Sequence, residues 1–179
     1  MSNQSDRWDM AIKIAESPTA FSPDIEAVRD IIHRYCYFID SQKSEKLRTI
    51  FSDDVELNYP TYHEHYKGID EVLAIYKKQA SKPYFLETLA HRMSNELVSI
   101  VEGGHEAFAT AYYFGNVVQT SGELRLFAGL YTFHMRKLNE QWKIVDYKID
   151  RQWDGVAGTA NPRGPGHELP FDGKLLKKN

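Results

Sequence analysis

Residues 106–151 read EAFATAYYFGNVVQTSGELRLFAGLYTFHMRKLNEQWKIVDYKIDR. Three runs rich in aromatic and β-branched residues stand out: Glu106–Val118, Leu124–Leu138 and Trp142–Arg151. Ser121-Gly122 and Asn139-Glu140 separate them, and Gly and Asn suit the backbone of tight turns. The runs therefore read as consecutive hairpins of a meander. A fourth run, Leu89–Val101, precedes them across Gly103-Gly104. Strands of ten or more residues exceed the usual length, which predicts a strongly curved sheet.

Upstream the pattern is helical. Asp24 stands where an N-cap belongs, and Ile25, Val28, Ile32, Tyr35, Cys36 and Ile39 recur at helical spacing. A short helix is expected over 44–51, with Leu47, Ile50 and Phe51 on one face. Val55, Leu57 and Tyr59 alternate up to Pro60 as a short strand, with 62–67 as its partner. Gly68 precedes a further helix over 69–80. Residues 6–16 suit a short helix ended before Pro18. Helices followed by hairpins indicate an α+β fold, a curved antiparallel sheet packed against N-terminal helices. Residues 1–23 read as an N-terminal extension and 24–153 as the domain. Residues 154–179 read as a tail and candidate pocket lid, holding five of the 11 glycines and three of the seven prolines.

Composition narrows the function. A chain of 179 residues suits one domain. With 22 Lys and Arg against 25 Asp and Glu, the formal charge is -3, which leaves no electrostatic footprint for nucleic acid or an anionic membrane. The single cysteine, Cys36, excludes an internal disulfide and a cysteine-based zinc site. No apolar run approaches the roughly 20 residues of a membrane helix. Acidic residues within 1–16 argue against a signal peptide. A cytoplasmic protein is the expectation.

Candidate chemistry begins on the first helix. Ile32, Cys36 and Asp40 lie four residues apart, so Asp40 continues the buried stripe, at a helix end whose dipole disfavours negative charge. That pattern fits a tuned base or an ordinary polar helix end. His91 opens the first long strand and fits a proton-transfer partner or a core histidine. His63 and His65 share a side of a short strand but lack further ligands, so no metal is expected. Phe127, Gly129, Tyr131 and Phe133 share a face, as do Tyr112, Phe114 and Asn116; both sets suit a core or an apolar pocket with polar fixtures. Arg151 continues the alternation of Val145, Tyr147 and Ile149. A buried arginine needs a carboxylate or a ligand anion. Phosphate loops, nucleophile elbows and metalloprotease helices are missing, so cofactor-free acid–base chemistry is expected.

The run Tyr35-Cys-Tyr-Phe-Ile-Asp40, then Leu47, Phe51, Asp54-Val55 and Tyr59, resembles the opening of the SnoaL-like proteins of the nuclear transport factor two-like superfamily. Gly68-Ile-Asp-Glu-Val, Leu89-Ala-His91, Gly129-Leu-Tyr131 and Gln141-Trp-Lys-Ile follow in the same order. The resemblance covers about residues 24–153 and implies a cone-shaped α+β barrel. It is most similar to the dehydratase branch, with scytalone dehydratase and the bile-acid dehydratase. That branch implies an aspartate–histidine dyad at Asp40 and His91, with Tyr35, Tyr59 and Arg151 as further catalytic residues. Asn116 stands where the bile-acid enzyme has an aspartate, and Gly129 and Tyr131 replace the scytalone enzyme's serine and asparagine, so a different substrate is implied. Asn116, Tyr131, Phe127, Phe133, Tyr112 and Phe114 are the expected substrate contacts. The expected function is a cofactor-independent lyase that eliminates water, or a small group such as formaldehyde, from a bulky aromatic or polycyclic substrate. The alternatives are an isomerase or cyclase using the same base, or a binding module like an oxygenase small subunit. The resemblance also implies a homodimer or homotrimer.

Overall fold

The computed structural model describes residues 12–16, 21–80, 89–119 and 121–157. Within the helix expected over 6–16, residues 12–15 are helical; the rest of it, and the proposed lid beyond residue 157, lie outside the described residues.

Helix α1 spans Pro23–Asp40. Its N-cap is Ser22, whose hydroxyl accepts from the Ile25 amide at 3.2 Å, with Pro23 in the first turn where a missing N–H costs nothing. Asp24, the expected cap, instead accepts from Trp142 Nε1 at 2.8 Å and lies 2.7 Å from Lys137 Nζ. Those two donors hold its carboxyl below the usual range and tie the helix start to the last hairpin. The helix buries Ile25, Val28, Ile31, Ile32, Tyr35 and Cys36. It stops after Asp40, because Ser41 caps the last carbonyls and Gln42 turns left-handed at φ 58°.

The next stretch, Ser44–Thr49, is a 3-10 helix, and Phe51 already belongs to strand β1 (Phe51–Tyr59). A second 3-10 turn, Pro60–Tyr62, leads to β2 (Glu64–Lys67), and α2 (Ile69–Ala80) follows. His63 takes a left-handed conformation ahead of β2, and His65 pairs with Glu56 at 2.9 Å, so the two histidines do not share a strand face. Strands β3 (Ala90–Ile100), β4 (Glu106–Val118), β5 (Leu124–Leu138) and β6 (Gln141–Val156) form the expected meander.

The six strands make one curved sheet in the order β2-β1-β6-β5-β4-β3. It is mixed rather than wholly antiparallel, because β1 runs parallel to β6. It does not close into a barrel: β2 and β3 are its two edges. Helix α1 packs on β3 and α2 on β1, and the core lies between helices and sheet. No helix among the described residues is long and apolar enough to cross a membrane.

Small residues opposite aromatic ones set the inner surface of the sheet. Gly115 pairs with Phe127, Tyr113 with Gly129, Ala111 with Tyr131 and Ala109 with Phe133. Each ring thus leans over a neighbour with little or no side chain. At Gly115 a Cβ would stand 2.1 Å from the Phe127 ring, and at Gly129 it would stand 2.0 Å from the Asp150 carbonyl oxygen. A ring can shift, whereas that carbonyl belongs to the adjacent strand. Gly129→Ala is therefore expected to destabilise the fold by about 3 kcal/mol and Gly115→Ala by about 1 kcal/mol. Urea unfolding of the two variants beside the parent tests the order.

Candidate active site

A cavity of about 580 Å³ opens between the helices and the concave face of the sheet. His91, Tyr35, Tyr59, Phe127, Tyr131 and Arg151 line it. Asp40 stands behind His91.

Asp40 and His91 meet through two contacts. The His91 backbone amide donates to Asp40 Oδ2 at 2.8 Å, and His91 Nδ1 lies 2.6 Å from Asp40 Oδ1. A carboxylate only accepts, so the hydrogen of a neutral imidazole sits on Nδ1 and the lone pair on Nε2. The imidazole side chain is 8% exposed and the carboxylate 22%. Phe127 packs edge-on against the imidazole at 5.2 Å, and Gly115, paired with both His91 and Phe127, makes room for that contact.

Tyrosines floor the cavity. The hydroxyls of Tyr35 and Tyr76 are 2.9 Å apart, and those of Tyr76 and Tyr147 are 2.5 Å apart. This chain joins α1, α2 and β6, and gives buried hydroxyls the partners they need. Tyr35 also packs edge-on against Tyr131 at 5.6 Å. Burial pushes Tyr76 up to about 12 and holds Tyr35, Tyr59, Tyr131 and Tyr147 well above the usual tyrosine value. These phenols are neutral donors, not bases.

Arg151 lies at the other end. Its guanidinium sits over the rings of Phe127 at 4.8 Å, Tyr59 at 5.6 Å and Tyr62 at 5.9 Å. It pairs not with Asp40 but with Asp154, whose carboxylate is 3.2 Å from Arg151 Nη1 and 2.8 Å from Arg125 Nη2. Burial disfavours the Arg151 charge, yet Tyr59, Tyr113 and Tyr62 favour it, and the group stays above its ordinary value. Thr61 holds the backbone here, accepting from the Arg151 amide and donating to its carbonyl, both at 3.1 Å.

Strand β4 departs from expectation. Tyr112 and Phe114 are 41% and 42% exposed on the outer face, and Asn116 there accepts from Arg92 at 2.8 Å. The inner face carries Tyr113, Gly115 and Val117, and Val117 lines the cavity. Phe133 is fully buried among Tyr35, Tyr131 and Tyr147, below the cavity rather than on its wall. Tyr76, Arg125 and Asp154 were not anticipated. Asp154 comes inward because β6 bulges: Gly129 pairs with Arg151 and Ala128 with Trp153, which leaves Gln152 unpaired and reverses the alternation.

A SnoaL-like domain model matches residues 21–148. The chain belongs to the SnoaL-like domain family. No curated protein matches it. Solved structures of similar shape include a scytalone dehydratase-like protein of Novosphingobium aromaticivorans, at 18% identity and a TM-score of 0.67, covering 80% of this chain and 94% of that one. Another is the hexachlorocyclohexane dehydrochlorinase of Novosphingobium barchaimii, at 17% identity and a TM-score of 0.65, covering 76% and 92%. A nuclear transport factor two-like protein of Salmonella enterica aligns at 19% identity and a TM-score of 0.62, covering 83% and 99%. This SnoaL-like protein therefore has the nuclear transport factor two-like α+β fold; such identities speak for the fold alone.

The raised tyrosines carry a pH consequence. Tyr35, Tyr59, Tyr76, Tyr113, Tyr131 and Tyr147 all hold their protons more tightly folded than unfolded. Their contribution to stability is complete below about pH 10, the ordinary tyrosine value, and is lost as pH rises above it. Ultraviolet titration of phenolate should show these six ionising only together with alkaline unfolding.

Proposed function

We propose that the protein is a cofactor-independent lyase that removes water, or a comparably small group, from a bulky aromatic or polycyclic substrate. The observation that carries this reading is the 2.6 Å contact of Asp40 with His91 Nδ1, which keeps Asp40 off the other ring nitrogen, Nε2, of a residue that lines the cavity. In keeping with this reading, solved structures of the same fold include proteins named for dehydration and dehydrochlorination.

In this mechanism Nε2 takes a proton from carbon adjacent to a carbonyl. Asp40 fixes the ring and stabilises the imidazolium that forms. The electron pair of the broken C–H bond becomes a carbon–carbon double bond as the neighbouring C–O bond breaks. The imidazolium returns its proton to the departing oxygen, which leaves as water. Asp40 ends as it began. Tyr59, whose hydroxyl has no hydrogen-bond partner among the described residues, donates to the oxygen that gains charge during proton abstraction. Tyr35 is committed to Tyr76 and acts through the floor of the cavity.

Asp40→Asn and His91→Ala are each expected to lower turnover by about a hundredfold or more. Far-ultraviolet circular dichroism should stay near that of the parent, while the melting temperature falls by a few degrees because the tie between α1 and β3 is weakened. The screen is mass-spectrometric, run in chelator without added cofactor, over aromatic and polycyclic β-hydroxy ketones, diols and diarylpropanoids. Loss of one water supports the reading. An unchanged mass at a new retention time replaces it with isomerisation or ring closure by the same base. Near-parental turnover in both variants removes the mechanism.

A further inference from the structure

The cavity has a second polar end that proton abstraction at His91 does not use. Its centre is Arg151, a largely buried cation. A guanidinium offers five N–H donors in a planar fork. Here the polar contacts are long: 3.2 Å to Asp154 and 3.3 Å to the Tyr62 hydroxyl, against the 2.7–2.9 Å usual for charge-assisted bonds. Asp154 is held more closely by Arg125, at 2.8 Å. Two guanidiniums thus share one carboxylate, and Arg151 Nε is buried with no hydrogen-bond partner among the described residues. Apart from these contacts and the neighbouring Tyr113 hydroxyl, which favours the charge without forming a well-aligned bond, aromatic rings surround the group. Yet 22% of the Arg151 side chain stays open, and the residue lines the cavity. The other charged lining residues, Lys78 and Glu64, offset each other, so the surplus is positive.

We propose that Arg151 anchors a carboxylate borne by the substrate, and hence that the substrate is an aromatic or polycyclic acid. An anion seated there would give the fork the bidentate partner that Asp154 does not supply. The apolar wall of Ile39, Leu57, Leu89 and Ile149 accepts the hydrocarbon frame. Phe127 sets the spacing: His91 packs against its ring at 5.2 Å and Arg151 lies over it at 4.8 Å. The acid and the carbon that loses its proton therefore face the same ring of the cavity wall. This proposal rests on the lyase reading for which end of the substrate reacts, but the binding it predicts needs no turnover.

Titration calorimetry on the full chain tests it with three probes of matched frame: 2-naphthoate, 2-naphthamide and 2-naphthyl phosphate, at pH 8. The acid is expected to bind about tenfold to a hundredfold more tightly than the amide. Arg151→Gln should abolish that preference and Arg151→Lys should keep part of it, whereas Asp40→Asn should leave it intact. Acid preference in the parent protein alongside its failure to turn over any panel substrate, aromatic hydroxy acids included, would overturn the lyase reading and leave the anchor standing. Equal binding of acid and amide to the parent protein would overturn the anchor, a result that does not depend on any variant folding. A preference that survives Arg151→Gln would likewise overturn it, and tighter binding of the phosphate would overturn the carboxylate assignment.

Discussion

Asp40 spends both of its oxygens on one residue. The amide and the imidazole of His91 each contact a different carboxylate oxygen, so the last residue of α1 is clamped to the edge strand β3. A carboxylate at a helix C-terminus opposes the backbone dipole, and partial burial adds to the cost. Two short hydrogen bonds offset that cost, yet a neutral side chain could tie helix to strand without incurring it. The clamp also places the rest of the helix. About two turns further back, His33 meets Glu96 at 2.9 Å, where a bulge with Asn95 at φ 53° interrupts β3 pairing between Ser94 and Leu97. Tied at His33 and Asp40, the second half of α1 lies along β3, and above the packed core Tyr35 and Ile39 border the open cavity.

The depth of that cavity is a property of the sheet. Across β3, β4 and β5, His91, Gly115 and Phe127 fall in one row; across β4, β5 and β6, Tyr113, Gly129 and Arg151 fall in the next. In each row a glycine admits a large neighbour. Phe127 reaches His91 over Gly115, and Tyr113 lies across Gly129. Nearer the core the glycines give way to Ala111 and Ala109 beside Tyr131 and Phe133, and the rings fill the space that is open higher up. One pattern of small against large thus closes the bottom of the cone and keeps the top hollow.

Much of this was legible in the chain. The stripe Ile32, Cys36, Asp40 put the carboxylate on the buried side of its helix, and the face shared by Phe127, Gly129 and Tyr131 is the cavity wall. Strand β4 misled because both its faces carry aromatic residues, so alternation cannot choose between Tyr112 and Tyr113. The choice is marked by Gly115, where a Cβ would meet the Phe127 ring from β5. Asp154 was hidden by the bulge at Gln152, since strict alternation from Arg151 would turn Trp153 inward. The parallel pairing of β1 with β6 joins segments far apart in the chain, and no turn announces it. Ser22 displaced Asp24 as cap because Asp24 answers to Trp142 and Lys137, partners more than a hundred residues away.

The chemistry follows from which groups burial leaves able to act. Desolvation fixes Tyr35, Tyr59, Tyr76 and Tyr131 as neutral phenols, so the cavity is rich in donors. Asp154 is committed to two arginines. The His91 lone pair is then the base best placed to take a proton, with its orientation set from behind by Asp40. A histidine base backed by a carboxylate and opposed by many donors suits a reaction in which charge moves from carbon to oxygen and the proton is handed on. With a cation at the far end of the same wall, the cavity distinguishes its ends, and a substrate with one charged and one reactive end can enter in only one productive direction.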